Sequence, residues 1–232
     1  MSRMFRSITQ TWNPLTGCCF GCSYCWARKL VEGRLKNTPK YAKCGFAPTF
    51  HPKALATNFK KGSFVFVSDL GDIAWAALDD FKRILTRIEV QPEVKFLLQT
   101  KSPQIFLEPI RKCPHNVYFG TTIETNRNHN FSKAPLPFIR YREICRAEHP
   151  LKFLSIEPIM DFDVEILIGW VKDIHPKIVE IGADNYNHNL PEPPWEKVTE
   201  LIRKLQENGL LVRQKEGLER LAPVGLKERE MK

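Results

Sequence analysis

Four of the chain's seven cysteines fall within eight residues, Cys18-Cys-Phe-Gly-Cys22-Ser-Tyr-Cys25. Thiols so crowded suit metal binding far better than a disulfide framework. Taken as Cys18, Cys22 and Cys25, the spacing is C-x3-C-x2-C. Three thiolates can ligate three irons of a four-iron cubane and leave the fourth without a protein ligand, whereas a cluster that only carries electrons normally has every position filled. An open iron can chelate a small molecule through an amine and a carboxylate. Two other readings of these residues stay open. Cys19, Cys22 and Cys25 form C-x2-C-x2-C, the opening of a bacterial ferredoxin run, but Lys29 replaces the fourth cysteine due three residues later. Cys22 and Cys25 also make a zinc half-site, for which Cys44 and His51 are a distant pair. In the cubane reading Cys19 is spare, and Cys113 and Cys145 are ordinary residues near or within helices.

Charge is distributed unevenly. The 232 residues carry +9, and residues 26–61 hold nine basic residues against one acid, Glu32, or +8. Interleaved with Tyr41, Phe46, Phe50 and Phe59, this stretch reads as a grip for phosphates with rings for stacking, so RNA, DNA or a nucleotide is an expected partner. A solvated surface is the other reading. No window approaches the roughly 18 apolar residues of a membrane span, and residues 1–10 carry no apolar run behind Arg3 and Arg6. The expected setting is the cytoplasm, reducing and away from membrane.

Around the cysteines, short apolar runs rich in β-branched and aromatic residues recur at 64–68, 95–100, 117–122, 152–156, 178–183 and 210–214, with a first strand within 5–12. Between them 79–90, 103–111, 137–148, 163–172 and 194–208 read as helices, with Pro103 and Pro194 in first turns and Gly209 as a C-terminal cap. Buried parallel strands are continuous apolar runs, so the pattern predicts an α/β fold, an open partial (βα)6-type barrel. One domain is expected over 1–215, with 26–61 inserted after the cysteine loop and 216–232 a charged tail of no assigned role. Chemistry in such folds gathers at the C-terminal ends of the strands. Those ends carry Ser68-Asp69, Gln99-Thr-Lys101, Thr121-Thr-Ile-Glu124, Ser155-Ile-Glu157, Ala183-Asp184 and Arg213-Gln-Lys215, and Lys101 and Lys215 are candidates for binding a substrate anion.

The C-x3-C-x2-C loop, with the aromatic Tyr24 before its last cysteine, resembles the signature of the radical S-adenosylmethionine (SAM) superfamily. That resemblance implies a 4Fe-4S cluster on Cys18, Cys22 and Cys25, SAM held on the open iron by its amino and carboxylate groups, and an external one-electron donor. It implies reductive cleavage of SAM and a 5′-deoxyadenosyl radical that takes hydrogen from a substrate, the protein supplying position and exclusion of water. In this superfamily a Gly-Gly-Glu-like motif after the second strand receives the SAM amino group; here Ser68, Asp69 and Asp72 stand there, without the glycine pair. Glu124, Asn126, Ser155 and Glu157 occupy the implied places for the SAM ribose and carboxylate, and Tyr24 joins them as a cofactor-binding candidate. More locally, Thr11-Trp-Asn-Pro-Leu-Thr-Gly17, Tyr24-Cys-Trp-Ala27, Leu98-Gln-Thr-Lys101, Leu154-Ser-Ile-Glu-Pro158 and Arg213-Gln-Lys215 resemble a poorly characterised family of radical-SAM-like proteins from phages and prokaryotes. This chain departs from it in a compressed cysteine loop and in Gly182-Ala-Asp184, where a Gly-Gly-Glu-like turn is the pattern. Trp12 and Asn13 are expected to shape the cysteine loop. The expected function is a radical SAM enzyme that modifies or repairs a nucleic acid or nucleotide. A small metabolite or peptide is the alternative substrate, and a zinc- or cluster-stabilised nucleic-acid-binding protein is the non-enzymatic alternative.

Overall fold

A computed structural model describes residues 5–108 and 113–223. The apolar runs pair as one parallel sheet of seven strands, β1 (Gln10–Trp12), β4 (Phe64–Val67), β5 (Lys95–Thr100), β6 (Val117–Thr122), β7 (Lys152–Ile156), β8 (Ile178–Ile181) and β9 (Val212–Gln214), in that spatial order. The sheet curls into a half-barrel. A separate antiparallel ladder joins β2 (Leu15–Thr16) to β3 (Thr49–Phe50), tying the basic segment to the start of the cysteine loop.

The five inner strands are buried on both faces, which is why they are largely apolar, whereas the edge strands β1 and β9 are more polar and more exposed. Phe96, Leu98, Phe119, Leu154 and Val179 pack outward against α2 (Leu78–Glu89), α3 (Pro137–Arg146), α4 (Val164–Ile174) and α5 (Trp195–Glu207) in the main core. Phe64, Leu97, Tyr118, Phe153 and Ile178 pack on the concave side with Phe5. Phe5 is a plug from the N-terminal segment, held by a carboxylate from the other half of the sheet. Glu180, fully buried on β8, accepts the backbone N–H of Arg6 at 3.1 Å, that of Ser7 at 2.9 Å and the Ser7 hydroxyl at 2.6 Å. Apolar rings thus form a floor, and the polar strand ends stand above it.

Four expected helices begin and end within two residues of α2, α3, α4 and α5. Over its described residues, 103–108, the fifth is not an α-helix: Pro103–Leu107 is a short 3-10 turn that ends in an extended Glu108, the residue before Pro109, where proline disfavours helical backbone. The rest of that expected helix, 109–111, lies outside the described residues. A short α1 (Trp26–Glu32), unexpected from the sequence, begins directly after Cys25, whose sulfur accepts the Arg28 N–H. The expected tail is structured over 216–223: Leu218 is fully buried in the main core and Leu218–Leu221 makes a 3-10 turn. Residues 224–232 lie outside the description. Among the described residues, no helix is long and apolar enough to cross a membrane.

Candidate functional site

The cysteine loop is pinned from several sides before any cysteine is reached. Trp12 is buried and its indole N–H donates to the Ala54 carbonyl at 2.8 Å. The Asn13 side chain bridges the ends of β1 and β4, donating to Asp69 at 2.6 Å and accepting the Leu70 N–H at 3.0 Å. Gly17 then lies so close to its neighbours that a Cβ there would stand 2.2 Å from the Ala47 carbonyl oxygen, and its φ of +83° is one that glycine alone adopts freely. Gly71 pairs with Gly17, and a Cβ on it would meet the Gly17 backbone at 2.8 Å. The family-like Thr11–Gly17 run is thus a set of clamps.

The loop opens onto a cavity of about 360 Å³ at the C-terminal ends of the strands, a volume suited to a small ligand. Cys18, Cys22 and Cys25 line it; Cys19 does not and is exposed. Of the other sequence candidates, Tyr24, Asp69, Asp72, Ser155 and Glu157 share its wall with Lys101 and Lys215. Ser68, Glu124 and Asn126 are not brought to that wall. Ser68 is buried with φ +62° at the turn after β4. Asn126 forms reciprocal hydrogen bonds with Asp163 ahead of α4, at 3.0 and 2.7 Å. Glu124 is fully buried behind the wall, accepting the Tyr24 hydroxyl at 2.7 Å and paired with Lys101 and, at 2.8 Å, with the fully buried Arg140.

Charge around the cavity is largely spoken for. Neither expected anion-binding lysine is unpaired: Lys101 pairs with Glu124 and Lys215 with Glu157. The second pair reaches past β8 because Gly182 leaves room, since a Cβ on it would lie 2.8 Å from the Glu157 carboxylate. Asp72 accepts from Thr100 Oγ1 and from the N–H groups of Lys101 and Ala74, joining the ends of β4 and β5. Burial raises the carboxyls of Asp69, Asp72 and Glu157 above their ordinary values, with Lys215 opposing this at Glu157. Burial pushes Glu124 the same way, but Arg140 and Lys101 together outweigh it and hold that carboxyl well below the usual range. The wall as a whole is acidic, with Asp69, Asp72, Glu157 and Asp184 against two lysines.

The donor set fits a cluster held by three cysteines. Burial pushes the Cys18 thiol up, with further contributions from Asp72, Cys22 and Cys25, and burial raises Cys25 too. Backbone N–H groups already point at two of the sulfurs, Phe20 N–H at Cys18 (3.4 Å) and Arg28 N–H at Cys25 (3.3 Å). Among the described residues no three His, Cys, Asp or Glu side chains converge on a single ion.

The basic segment departs from expectation. Tyr41 and Phe46 are buried with Ala27 and Val31 in a small cluster that backs Cys18 and Cys25, and Phe50 and Phe59 pack on the main core. Of these four rings Phe46 alone reaches the cavity wall, and the more exposed rings there are Trp26 and Tyr186. Most of the cations remain outward, Lys29, Arg34, Lys36, Lys43, Lys53, Lys60 and Lys61 being exposed or partly so. Sequence reasoning also missed His188, which lines the cavity with its Nδ1 2.6 Å from Asp184. The available signal was a polar, asparagine-rich loop directly after a strand end. Arg140 was missed as well; its signal was that it is the one charge on the apolar stripe Pro137, Arg140, Ile144 of α3.

Among solved structures, the fold is similar to that of a cysteine-to-serine mutant of spore photoproduct lyase (TM-score 0.57, 11% identity, covering 91% of this chain and 79% of that one). A cysteine-to-alanine mutant of the same lyase with dinucleoside spore photoproduct matches at TM-score 0.51 and 12% identity, over 89% of this chain, which spans 64% of that chain's length. Streptococcus suis SuiB bound to precursor peptide SuiA matches at TM-score 0.53 and 10% identity, over 94% of this chain and 52% of that one. No curated protein matches the sequence. The likeness to these structures is one of fold. Kinship comes from the sequence: residues 5–208, from the Phe5 plug through α5 and so including every cavity residue but Lys215, match the family described as "Protein of unknown function (DUF5131)", and the chain belongs to that family.

Proposed function

We propose that this chain is a radical SAM enzyme in which Cys18, Cys22 and Cys25 hold a 4Fe-4S cluster and the adjoining cavity receives SAM. One observation carries the reading: the three cysteines of the C-x3-C-x2-C choice line a ligand-sized cavity at the strand ends, while the spare Cys19 is exposed outside it. The partial-barrel fold supports it. When bound, cluster and SAM would supply reductive cleavage of a sulfonium C–S bond and a carbon radical able to abstract hydrogen.

The chain's own residues position and seclude. The glycine clamp at Gly17 and Gly71 fixes the loop, and the Tyr24–Glu124 hydrogen bond anchors its far end. Phe5, Phe20, Phe46 and Phe66 give the cavity apolar surfaces that exclude water. Asp69, Asp72, Ser155 and Glu157 offer acceptors for an ammonium and for ribose hydroxyls, and the acidic wall favours a sulfonium cation. We take residues 1–215 as one catalytic unit with 26–61 folded into it. Seven free cysteines suit a reducing cytoplasm, where an external one-electron donor would serve.

For the substrate, the outward lysines and arginines beside the cysteine loop favour a nucleic acid or nucleotide. Phosphates would stay on that outer surface, because the cavity is acidic, and a base extruded past Trp26 and Tyr186 would enter it. Spore photoproduct lyase with its dinucleoside photoproduct is a fold relative in keeping with this; SuiB, with its precursor peptide, is the counterpart for the peptide alternative. Anaerobic reconstitution should give a 4Fe-4S spectrum, and dithionite with SAM should release 5′-deoxyadenosine. A well-formed cluster that never cleaves SAM would sink the proposal. Retention on RNA or DNA that weakens steeply with salt supports the nucleic-acid substrate; none at low salt points to a metabolite or peptide.

A further inference from the structure

The cavity has two ends. The cysteine loop, with the ends of β1, β4 and β5, makes one; the ends of β8 and β9 make the other, where His188 sits on the loop between β8 and α5, and Ser155 and Glu157 from the end of β7 stand between the two. That loop is built, not merely present. Asp184, 4% exposed at the end of β8, accepts both the backbone N–H of His188 at 2.5 Å and, at 2.6 Å, its ring Nδ1. Asp184 is held in turn by its own N–H on Glu192 at 2.8 Å and by Arg220, which donates to its carbonyl at 3.0 Å. Arg220 also pairs with Glu192, so the 3-10 turn after β9 braces the loop from behind. With Nδ1–H donated to a carboxylate, a neutral imidazole presents its Nε2 lone pair, and no described residue hydrogen-bonds that atom.

We propose that the β8–β9 end is the substrate subsite and that His188, aligned by Asp184, exchanges a proton with the substrate there. The inference rests on the radical SAM reading for its assignment of the opposite end. Nε2 takes a proton from a substrate O–H or N–H, the imidazolium keeps its Nδ1–H on Asp184, and the proton returns as product forms; no electron moves in this step. The ligand class follows from charge. Lys215 is already neutralised by Glu157 and Asp184 adds a further carboxylate, so the subsite takes a neutral or cationic hydrogen-bonding group such as a heterocycle edge and disfavours an anion. Asp184 acts through His188 and is a positioning residue.

The test uses reconstituted protein. Diethyl pyrocarbonate acylates an open, unprotonated imidazole nitrogen, and mass spectrometry maps it over the six histidines. His188 should be labelled, and D184N should change its labelling rate severalfold by freeing the ring's tautomer. In parallel, turnover of SAM with cellular RNA, DNA and small-molecule extract should fall by about 10²-fold or more in H188Q, with the cluster spectrum of the variant as the folding control. An unlabelled His188, or H188Q turnover within about threefold of wild type where general acid–base loss predicts far more, overturns the inference. Wild-type protein that holds a cluster but cleaves no SAM defeats the underlying reading instead, and His188 labelling still decides the dyad.

Discussion

Replacing Glu124 by Gln should be among the most destabilising single changes in the molecule. Glu124 and Arg140 are both fully buried, 2.8 Å apart, and the same carboxylate takes Lys101 and the Tyr24 hydroxyl. Buried pairs contribute little net stability, but removing one partner strands the other charge away from water, at a cost of about 3–5 kcal/mol. For a chain of this length that corresponds to a melting temperature lower by roughly 6–20 °C. R140M should cost less than E124Q, because Lys101 still compensates the carboxylate. The E124Q/R140M double variant should be more stable than the sum of the single effects by about 1–3 kcal/mol. The acid limb carries a second signature. Burial opposes ionisation of Glu124, but Arg140 and Lys101 depress its carboxyl well below the ordinary glutamate value, so its contribution is present above that value and is lost as pH falls through the depressed folded-state value. Urea midpoints at pH 7 and across the acid range measure both. A cost under about 1 kcal/mol for E124Q, or strict additivity in the cycle, would refute the reasoning that this is a buried and mutually dependent pair.

Alanine at Cys18, Cys22 or Cys25 should each abolish the 4Fe-4S absorbance after reconstitution, whereas C19A should keep it; equal loss from all four would overturn the ligand assignment. G17A forces a side chain into the Ala47 backbone at a φ that costs a non-glycine residue about 1–2 kcal/mol on its own, and should cut cluster incorporation while leaving helical circular dichroism in place. G182A should push Glu157 away from Lys215, visible as weaker SAM binding by equilibrium dialysis with the cluster spectrum unchanged. Charge reversal at Lys36 and Lys43, both exposed on the basic segment, should lower retention on single-stranded nucleic acid and flatten its salt dependence by about 0.7 in log–log slope for each phosphate no longer neutralised.

The strands were legible because a sheet buried on both faces writes itself as unbroken apolar runs, and the cysteine loop because ligand spacing is local. What stayed hidden depends on neighbours distant in sequence. Lys101 and Lys215 read as free cations until the sheet sets them beside Glu124 and Glu157. Tyr41 and Phe46 read as stacking platforms because their surroundings look solvated, yet the cysteine loop needs an apolar backing and takes those rings for it. Glu124 and Asn126, placed at strand ends, were candidates by position; their side chains are engaged by Arg140 and Asp163, which lie on other elements. His188 and Asp184 are only four residues apart, but they lie in a loop without periodicity, where a sequence offers composition and little else.

The Phe5 floor also sets an order of events on the ribosome. Its anchor, Glu180, lies 173 residues beyond Ser7. A nascent chain therefore displays all three thiols long before Glu180, which holds the Phe5 segment in place, has been made. Closure waits for β8, and the brace on the opposite wall waits for Arg220. On the proposed reading, a cluster loaded before Glu180 is made would meet an open chamber, and one loaded afterwards a floored one.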